Sequence, residues 1–213
     1  MQETGELVRE WISGWVVSRG AADPTPEPWG WSIDVGAPTG EVARHVLPEP
    51  VESDVRKIAE ATTAPGTWLK AFAEADTVRP WLGPEWRLDI PGFLMSLPLN
   101  DTERPEPPTG YTVTTWTRGG VVRALVRTDD GHLAARGQAG LAGAVVVPDQ
   151  IVTAPEHRRR GLGSVVMRTL QHAAREAGAE KAVLVGSPAG RELYTALGWT
   201  MHTPMASLVL EAT

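Results

Sequence analysis

The chain has 213 residues, 42% of them hydrophobic, and a formal net charge of −6. This length and apolar content are enough for one large or two small globular domains with a hydrophobic core. Because the sequence contains no cysteine, disulfides, thiolate metal sites and a cysteine nucleophile are excluded.

Charge is distributed unevenly along the chain. Residues 1–100 carry 15 acidic and 8 basic residues, whereas residues 101–213 carry 11 and 12. Only Arg158 to Arg160 form a concentrated basic cluster, which indicates a small-anion site and no nucleic-acid partner. The longest apolar runs are far shorter than the ~20 residues that cross a bilayer, so we expect no membrane segment and a cytoplasmic location.

The first half predicts a mixture of short elements. Leu7, Trp11 and Trp15 recur at helical spacing and predict a helix over 7–17. A proline-rich loop over 21–30 follows, then a strand at 31–35, a turn at 36–40 and a strand at 42–47.

The next segments predict two helices and an interrupted strand. Ser53 or Asp54 is expected to cap a helix, and 67–75 is expected to form another. The strand over 86–97 is predicted to be interrupted or at a sheet edge, because Pro91 and Pro98 cannot donate ladder hydrogen bonds. The many tryptophans could form a ligand-stacking surface, but core packing is favoured.

A proline-rich stretch at 101–110 predicts a linker between a domain over 1–100 and a domain over 111–213. Strands are predicted at 111–115 and 121–127. After the turn at 129–131 a strand begins at His132, and two further strands at 141–147 and 150–153 complete an antiparallel run.

The most informative stretch is 151–164, which reads Ile-Val-Thr-Ala-Pro-Glu-His-Arg-Arg-Arg-Gly-Leu-Gly-Ser. Its β-branched residues predict a strand that ends at Pro155, and apolar spacing predicts a helix from Leu162 to a stop at Gly178. The arginines and glycines therefore lie at a helix N-terminus, which favours an anion. Gly161 and Gly163 would let phosphate oxygens approach the backbone. We predict a diphosphate site.

Neither a Walker A loop nor a Rossmann fingerprint fits, because the first needs a Gly-Lys-Ser/Thr sequence and the second a small residue in place of Val166. The pattern Arg158-x-x-Gly161-x-Gly163 instead resembles the acetyl-coenzyme A motif of the GNAT superfamily of N-acetyltransferases. A strand is predicted at 181–186, and a short helix at 191–197 that Gly198 closes, with Trp199 beyond it. In this segment the string Leu193-Tyr194-x-x-x-Gly198-Trp199 resembles a second motif of the family. Ser187 and Gly190 depart from the Asn and Ala usual there.

The resemblance implies an α/β (α+β) fold with a mixed, mostly antiparallel sheet flanked by helices. GNAT proteins usually place two helices between their first two strands, but here only residues 117–120 intervene. Two arrangements remain open. The N-terminal half supplies the missing helices in space, or it is a degenerate second GNAT-like unit without a coenzyme loop, so that one coenzyme binds per chain.

The resemblance also implies that an amine attacks acetyl-CoA directly, with Tyr194 as the general acid and no metal. The residues implied to bind the coenzyme are Val152, Thr153, Ala154, Arg158, Arg159, Arg160, Gly161, Leu162, Gly163, Ser164, Ser187 and Tyr194. The general base is left open between Asp149 and Glu156, and structural roles explain both equally well. We expect a small-molecule amine as the partner. The alternatives are an acyl-CoA-binding protein without turnover and a protein or peptide acetyltransferase.

Overall fold

One mixed sheet runs through the computed structural model, which describes residues 2–36, 40–101 and 103–212. Its strands are β1 Thr25–Glu27, β2 Gly30–Asp34, β3 Ala43–Leu47, β4 Thr67–Ala71, β5 Trp86–Leu88, β6 Gly92–Pro98, β7 Tyr111–Arg118, β8 Val121–Thr128, β9 Leu133–Ala142, β10 Val145–Thr153, β11 Lys181–Gly186 and β12 Thr200–Leu210. They follow the order β1-β2-β3-β4-β12-β6-β11-β10-β9-β8-β7, and β5 also pairs with β12. Among these strands only β3 with β4 and β10 with β11 are parallel, so the predicted mixed, mostly antiparallel sheet is confirmed.

Five α-helices pack on the sheet: α1 Gln2–Arg19, α2 Glu52–Ala61, α3 Ala75–Val78, α4 Leu162–Glu176 and α5 Pro188–Ala196. Successive side chains of a strand point to opposite faces. Val146 and Leu184 accordingly join the core under α4, whereas Val147 and Val183 join the core under α1. A third core lies under α2 and α3 and contains Leu69 and Leu208. The sheet is therefore covered on both faces in its C-terminal part.

Helix α1 covers one face of the sheet in the C-terminal half of the chain. It packs on β9, β10 and β11 and buries Leu7, Trp11 and Trp15, as the spacing predicts. Helix and sheet approach closely at Gly14 and Gly140, since a Cβ on Gly140 would lie 2.0 Å from the Gly14 carbonyl oxygen. The N-terminal half thus supplies a covering helix in space.

The two halves exchange strands at the centre of the sheet. β6, from the first half, lies between β11 and β12 and pairs with both. β12, the last of these strands in sequence, pairs with β6 through its first residues and with β4 and β5 through its last. β6 from the first half therefore pairs with strands of the second half, and β12 from the second half pairs with strands of the first.

Several predictions for the first half are wrong. Residues 67–71 form a strand and not a helix, because this segment pairs in the middle of the sheet between β3 and β12. Helix α2 begins at Glu52 with Val51 at the N-cap position and no side-chain cap, so neither Ser53 nor Asp54 is the cap. The short strand β1 lies inside the loop predicted at 21–30.

The strand predicted over 86–97 is interrupted, as expected: β5 ends at Leu88 and β6 begins at Gly92. β6 lies in the interior of the sheet, where Pro91 precedes it and Pro98 is its last residue. One further strand prediction needs correction. The strand predicted at 141–147 is divided by a turn at 143–144, where Gly143 has φ of 60°. Of the turn predicted at 36–40, residues 37–39 lie outside the described residues. The described residues of 101–110 contain no helix or strand, and the domain boundary placed there stays a prediction.

Candidate active site

The parallel strands β10 and β11 separate after a short stretch of pairing. Their register covers only Val145 with Lys181 and Val146 with Ala182. Farther along, the pairing of β10 with β9 contains a bulge between Asp149 and Val152, and Gln150 there has φ of 54°. A bulge bends its strand, and Pro148 has no N–H to donate to a neighbouring strand. An open slot results between the ends of β10 and β11.

Thr153 directs its backbone into this slot. Ala154 donates its N–H to the Ala134 carbonyl oxygen at 2.9 Å, and Val152 stands opposite Arg136 on β9. Alternate residues of an antiparallel strand turn their N–H and C=O groups to opposite edges, so those of Thr153 point away from β9. Of the three residues predicted to hold a pantetheine arm, Thr153 offers its backbone, Val152 offers an exposed side chain, and Ala154 uses its N–H within the sheet.

The predicted diphosphate turn lies between this slot and α4. Residues 155–157 form a short 3-10 helix, and the chain then reverses through Arg159 and Gly161, whose φ angles are 62° and 78°. α4 begins at Leu162, as predicted, and the buried side chain of this residue anchors the helix start. The first turn of α4 contains no acidic residue, while Arg158 to Arg160 are exposed around it. The unpaired N–H groups of the helix start and three exposed arginines therefore belong to the same short turn.

Tyr111 fixes the turn from a distance in sequence. Arg160 Nη1 donates a hydrogen bond to the Tyr111 hydroxyl at 3.0 Å, and the same hydroxyl lies 3.0 Å from His157 Nδ1. Sequence reasoning missed this contact, because 49 residues separate Tyr111 from Arg160 and nothing local to either indicates it.

Gly163 lies where three predicted parts of the site meet. A Cβ on this residue would be 3.2 Å from Leu193 Cδ2 and 3.9 Å from Thr153 Oγ1. The start of α4 is therefore in contact range of both β10 and α5. Ser164, the next residue, is half-buried in the same turn.

Tyr194, on α5, is buried among apolar neighbours. Its ring lies 5.8 Å from that of Trp199. Burial, and next the negative charge of Asp149, raise the pKa of Tyr194 to about 12. In the part of the chain that the structure describes, no residue makes a hydrogen bond to the Tyr194 hydroxyl. The phenol is consequently neutral at pH 7 and has a proton to donate.

The two departures from the family pattern both affect α5. Ser187 is the N-cap of this helix, and its hydroxyl accepts a hydrogen bond from the Gly190 N–H at 3.2 Å. A Cβ on Gly190 would lie 3.0 Å from Tyr194 Cε2, so glycine here leaves room for the phenol ring. Ser187 stays exposed at the end of β11, next to the slot.

A cleft of about 360 Å³ opens beside the ends of β10 and β11. We call it the tryptophan cleft, since Trp11, Trp15 and Trp68 line it together with Arg44 and Lys70. Trp11 and Trp15 are almost fully buried, as expected for core residues, while their remaining surface faces the cleft. The lining also includes Asp149 and Ser187, so the cleft joins the slot.

The two carboxylates between which the base was left open have different surroundings. Asp149 Oδ1 and Oδ2 accept hydrogen bonds from Arg19, and further ones from the Ser18 hydroxyl and the Gln150 N–H. This carboxylate is fully engaged and holds α1 against β10. Glu156 is exposed on the 3-10 helix. Neither arrangement singles out a proton acceptor.

The first half has a parallel strand pair of its own, but its chemistry differs. β3 and β4 remain paired over their whole length, from Ala43 with Thr67 to Leu47 with Ala71, so no slot opens between them. Helix α2, which follows β3, carries Glu52 and Asp54 in its first turn, and carboxylates there would repel a phosphate. The start of α2 therefore does not reproduce the basic helix start of α4.

Among the described residues, no three His, Asp or Glu side chains come together as a metal-binding group. None of the helices described is long and apolar enough to cross a lipid bilayer.

Comparisons with known proteins agree with this geometry. A GCN5-related N-acetyltransferase from Kribbella flavida is 19% identical, with a TM-score of 0.66 over 99% of this chain and 96% of that one. A GCN5-related N-acetyltransferase-like protein from Streptococcus suis 89/1591 is 14% identical, with a TM-score of 0.59 over 98% and 99%. A tandem GNAT protein from the clavulanic acid biosynthesis pathway is 15% identical, with a TM-score of 0.53 over 74% and 67%. At these identities the likeness concerns the fold alone.

None of the curated proteins compared with this chain matches it in sequence. The model of the acetyltransferase (GNAT) family matches residues 75–199, a range that contains β6, the slot, the diphosphate turn and α5. The chain belongs to the GNAT acetyltransferase family.

Proposed function

We propose that this chain transfers the acetyl group of acetyl-CoA to the amine of a small molecule by direct attack. Membership of the family supports acyl transfer from an acyl-CoA. The observation that carries the proposal is the slot between β10 and β11, with a cationic helix N-terminus at one side and a neutral buried phenol at the other.

The coenzyme is proposed to bind along the slot, with its diphosphate on the turn before α4. The residues assigned to the diphosphate are Arg158, Arg159, Arg160, Gly161, Leu162, Gly163 and Ser164. Val152, Thr153 and Ala154 flank the pantetheine arm, and Ser187 lies opposite them. Backbone N–H groups at a helix start bind phosphate oxygens with little rearrangement. The Thr153 N–H would donate a hydrogen bond to a carbonyl oxygen of the pantetheine arm, as it would to the carbonyl oxygen of a neighbouring strand.

In the proposed reaction a neutral amine attacks the thioester carbonyl carbon, so that a C–N bond forms and the C–S bond breaks. The nitrogen, positively charged after the attack, loses one proton to solvent, and coenzyme A leaves as a thiolate that solvent protonates. The Tyr194 hydroxyl donates a hydrogen bond to the sulfur as negative charge develops on it. A thiol has a pKa of about 8.5 in water, well below the value of about 12 for Tyr194. Complete proton transfer from the phenol would therefore be uphill, and donation during C–S cleavage is the step in which Tyr194 acts.

The size and walls of the tryptophan cleft support a small acceptor. Its volume of about 360 Å³ lies in the range of small-molecule pockets, roughly 300 to 1,000 Å³. Residues of α1 line one side, and residues of β4 and β12 line another. An alkylammonium with a pKa near ~10 must first lose its proton, so kcat/KM should rise about tenfold per pH unit below that value.

The same topology supports a proposal about the first half. The run β1, β2, β3, α2, β4 repeats the run β8, β9, β10, α4, β11, with antiparallel strands followed by a parallel pair around a helix. We propose that residues 1–100 are a degenerate GNAT-like unit that has kept the fold without the coenzyme site. The chain then binds one coenzyme and uses the first half to wall the acceptor.

Incubating the protein with acetyl-CoA and a panel of amines, with free thiol and acetylated product measured together, tests the proposed function. Release of thiol in proportion to an acetylated small amine is expected. If coenzyme A stabilises the protein but no amine causes release of free coenzyme A from acetyl-CoA, the protein is an acyl-CoA-binding protein instead. Turnover confined to peptides would identify a protein or peptide acetyltransferase.

A further inference from the structure

Lys70 is the charged group of the tryptophan cleft that the proposed transfer leaves without a task. It lies on β4 and is 7% exposed. Its Nζ donates a hydrogen bond to the Ser207 hydroxyl at 2.5 Å and lies 3.9 Å from the centre of the Trp68 ring. Within the described ranges it forms no ion pair. A buried ammonium without a carboxylate is rare in proteins, because its desolvation is not offset.

The carboxylates nearest to Lys70 are already bound by arginines. Arg44 donates hydrogen bonds from Nε and Nη2 to the two oxygens of Glu41, at 2.6 and 3.0 Å. Arg19 holds Asp149 in the same two-pronged manner. Asp89, the third carboxylate in the lining, lies 3.5 Å from Arg87. Each acidic group that faces the cleft is thus paired with its own guanidinium.

Arg44 lies close to Lys70 in the lining of the cleft. It stacks on the Trp15 ring, with Cζ 3.8 Å from the ring centre, and it is buried there. Burial, and next the positive charge of Arg44, lower the pKa of Lys70 well below 10.5. An anion that entered the cleft beside Lys70 would favour the protonated form of Lys70, because the ammonium would then have an ion-pair partner.

A planar carboxylate suits this arrangement. Lys70 Nζ can donate to one oxygen as it now donates to Ser207, and the aromatic rings of the cleft can pack against the carbon chain that carries the group. The cleft joins the slot at Asp149 and Ser187. An acceptor that places its amine in the slot would therefore direct its other end toward Lys70.

We propose that Lys70 is the anchor for a carboxylate of the acceptor, and that the acceptor class is amines that also carry a carboxylate, such as amino acids. This inference rests on the proposed acetyl transfer at the same site. In this proposal a residue of β4, in the first half of the chain, determines which acceptors are acetylated.

The test compares each standard α-amino acid, together with β-alanine and γ-aminobutyrate, with its own carboxamide. The parent protein should acetylate the best carboxylate about 10- to 100-fold more efficiently than its amide, since a hydrogen bond to a charged group is involved. Lys70→Met, which keeps the aliphatic stem, should remove this preference through a higher KM for the acid and leave the amide unchanged. Lys70→Arg should restore part of the preference. Lys57→Met, which removes an exposed lysine of α2, should behave as the parent.

A parent protein that acetylates the amides as well as the acids would overturn the anchor while upholding acetyl transfer. An equal fall of kcat for both members in Lys70→Met would also overturn it and assign Lys70 to proton removal. If no amine is acetylated, calorimetric titration of the same compounds into the coenzyme A complex separates the two ideas. Binding of the acids that depends on Lys70 would keep the anchor and reject the transfer, and the absence of such binding would reject both.

Discussion

Replacing Tyr194 by phenylalanine separates the chemistry of the site from its packing. The ring occupies space left by Gly186 and Gly190 and contacts Trp199, and all of these contacts survive in phenylalanine. The hydroxyl makes no hydrogen bond in the described part of the protein. The free energy of unfolding at pH 7 should therefore change by no more than about 0.5 kcal/mol.

Turnover should respond very differently. General acid catalysis contributes about 10²- to 10⁴-fold, which corresponds to about 3 to 5 kcal/mol of barrier. Tyr194→Phe should lower kcat by a factor in this range with acetyl-CoA and the best acceptor, while the KM for acetyl-CoA stays near its parent value. The other tyrosine of the chain is a matched control. Tyr111→Phe loosens the diphosphate turn and should raise the KM for acetyl-CoA several-fold without a comparable loss of kcat.

An independent measurement needs no substrate. Burial holds the folded pKa of Tyr194 at about 12, against 10.0 in the unfolded chain. Above pH 10 the unfolded state releases a proton that the folded state keeps, so the parent loses stability as the pH rises toward 12. Two pKa units correspond to about 3 kcal/mol in full. Between pH 10 and pH 11.5 the parent should lose roughly half of this, about 1.5 kcal/mol, beyond any loss in Tyr194→Phe, as measured by chemical denaturation at the two pH values. Equal pH slopes, or a variant that turns over at the parent rate, would refute the reasoning.

Three further predictions concern binding and stability. Coenzyme A should raise the Tm of the parent, and Gly163→Val should abolish most of that shift, because its side chain would enter the diphosphate turn and press on Leu193. Removing residues 1–100 should yield an aggregating or inactive fragment, because β11 and β12 lose β6 between them. Lys70→Met should raise the free energy of unfolding at pH 7, because burial lowers the folded pKa of Lys70 below 10.5 and makes the parent less stable below that pH.

Each of these has a clear contrary result. If coenzyme A raises the Tm of a folded Gly163→Val protein as much as that of the parent, the diphosphate does not bind at this turn. A soluble and fully active fragment from Asp101 onward would show that the second half is complete alone. The free energy of unfolding of the parent should rise as the pH rises from the pKa of Lys70 in the folded protein to its pKa in the unfolded chain. If the parent and Lys70→Met have the same pH dependence, burial does not lower the pKa of Lys70.

The C-terminal part of the fold could be predicted because its signals are local. The diphosphate turn, α4 and β11 follow from glycine, proline and apolar spacing within a few residues of one another, and the structure reproduces their bounds closely. The sequence of β4 predicts a helix because a short apolar run fits the residue spacing of a helix and of a strand equally well. What decides its conformation is pairing with β12, more than 130 residues away in sequence, and a local pattern contains no trace of it.

The same reason explains what was missed at the site. The bulge at Gln150 requires a positive φ at a residue that rarely adopts one. Lys70 meets Ser207 across 137 residues, and Arg19 meets Asp149 across 130. The tryptophan cleft forms from residues that are far apart in sequence, whereas the motif of the diphosphate turn lies within a few consecutive residues.

The exchange of strands affects the order in which this protein can form. β12 (Thr200–Leu210) follows β4 and β6 by more than 100 residues and leaves the ribosome after them, yet it lies between these two strands in the interior of the sheet. Until it arrives, β4 and β6 each present an unpaired edge, which is the feature that attracts other chains. Pairing over such sequence distances is also slow, because a large loop must close before the contacts form. Until β12 has been synthesised, the nascent chain is therefore incompletely folded and can associate with other chains through the exposed edges of β4 and β6.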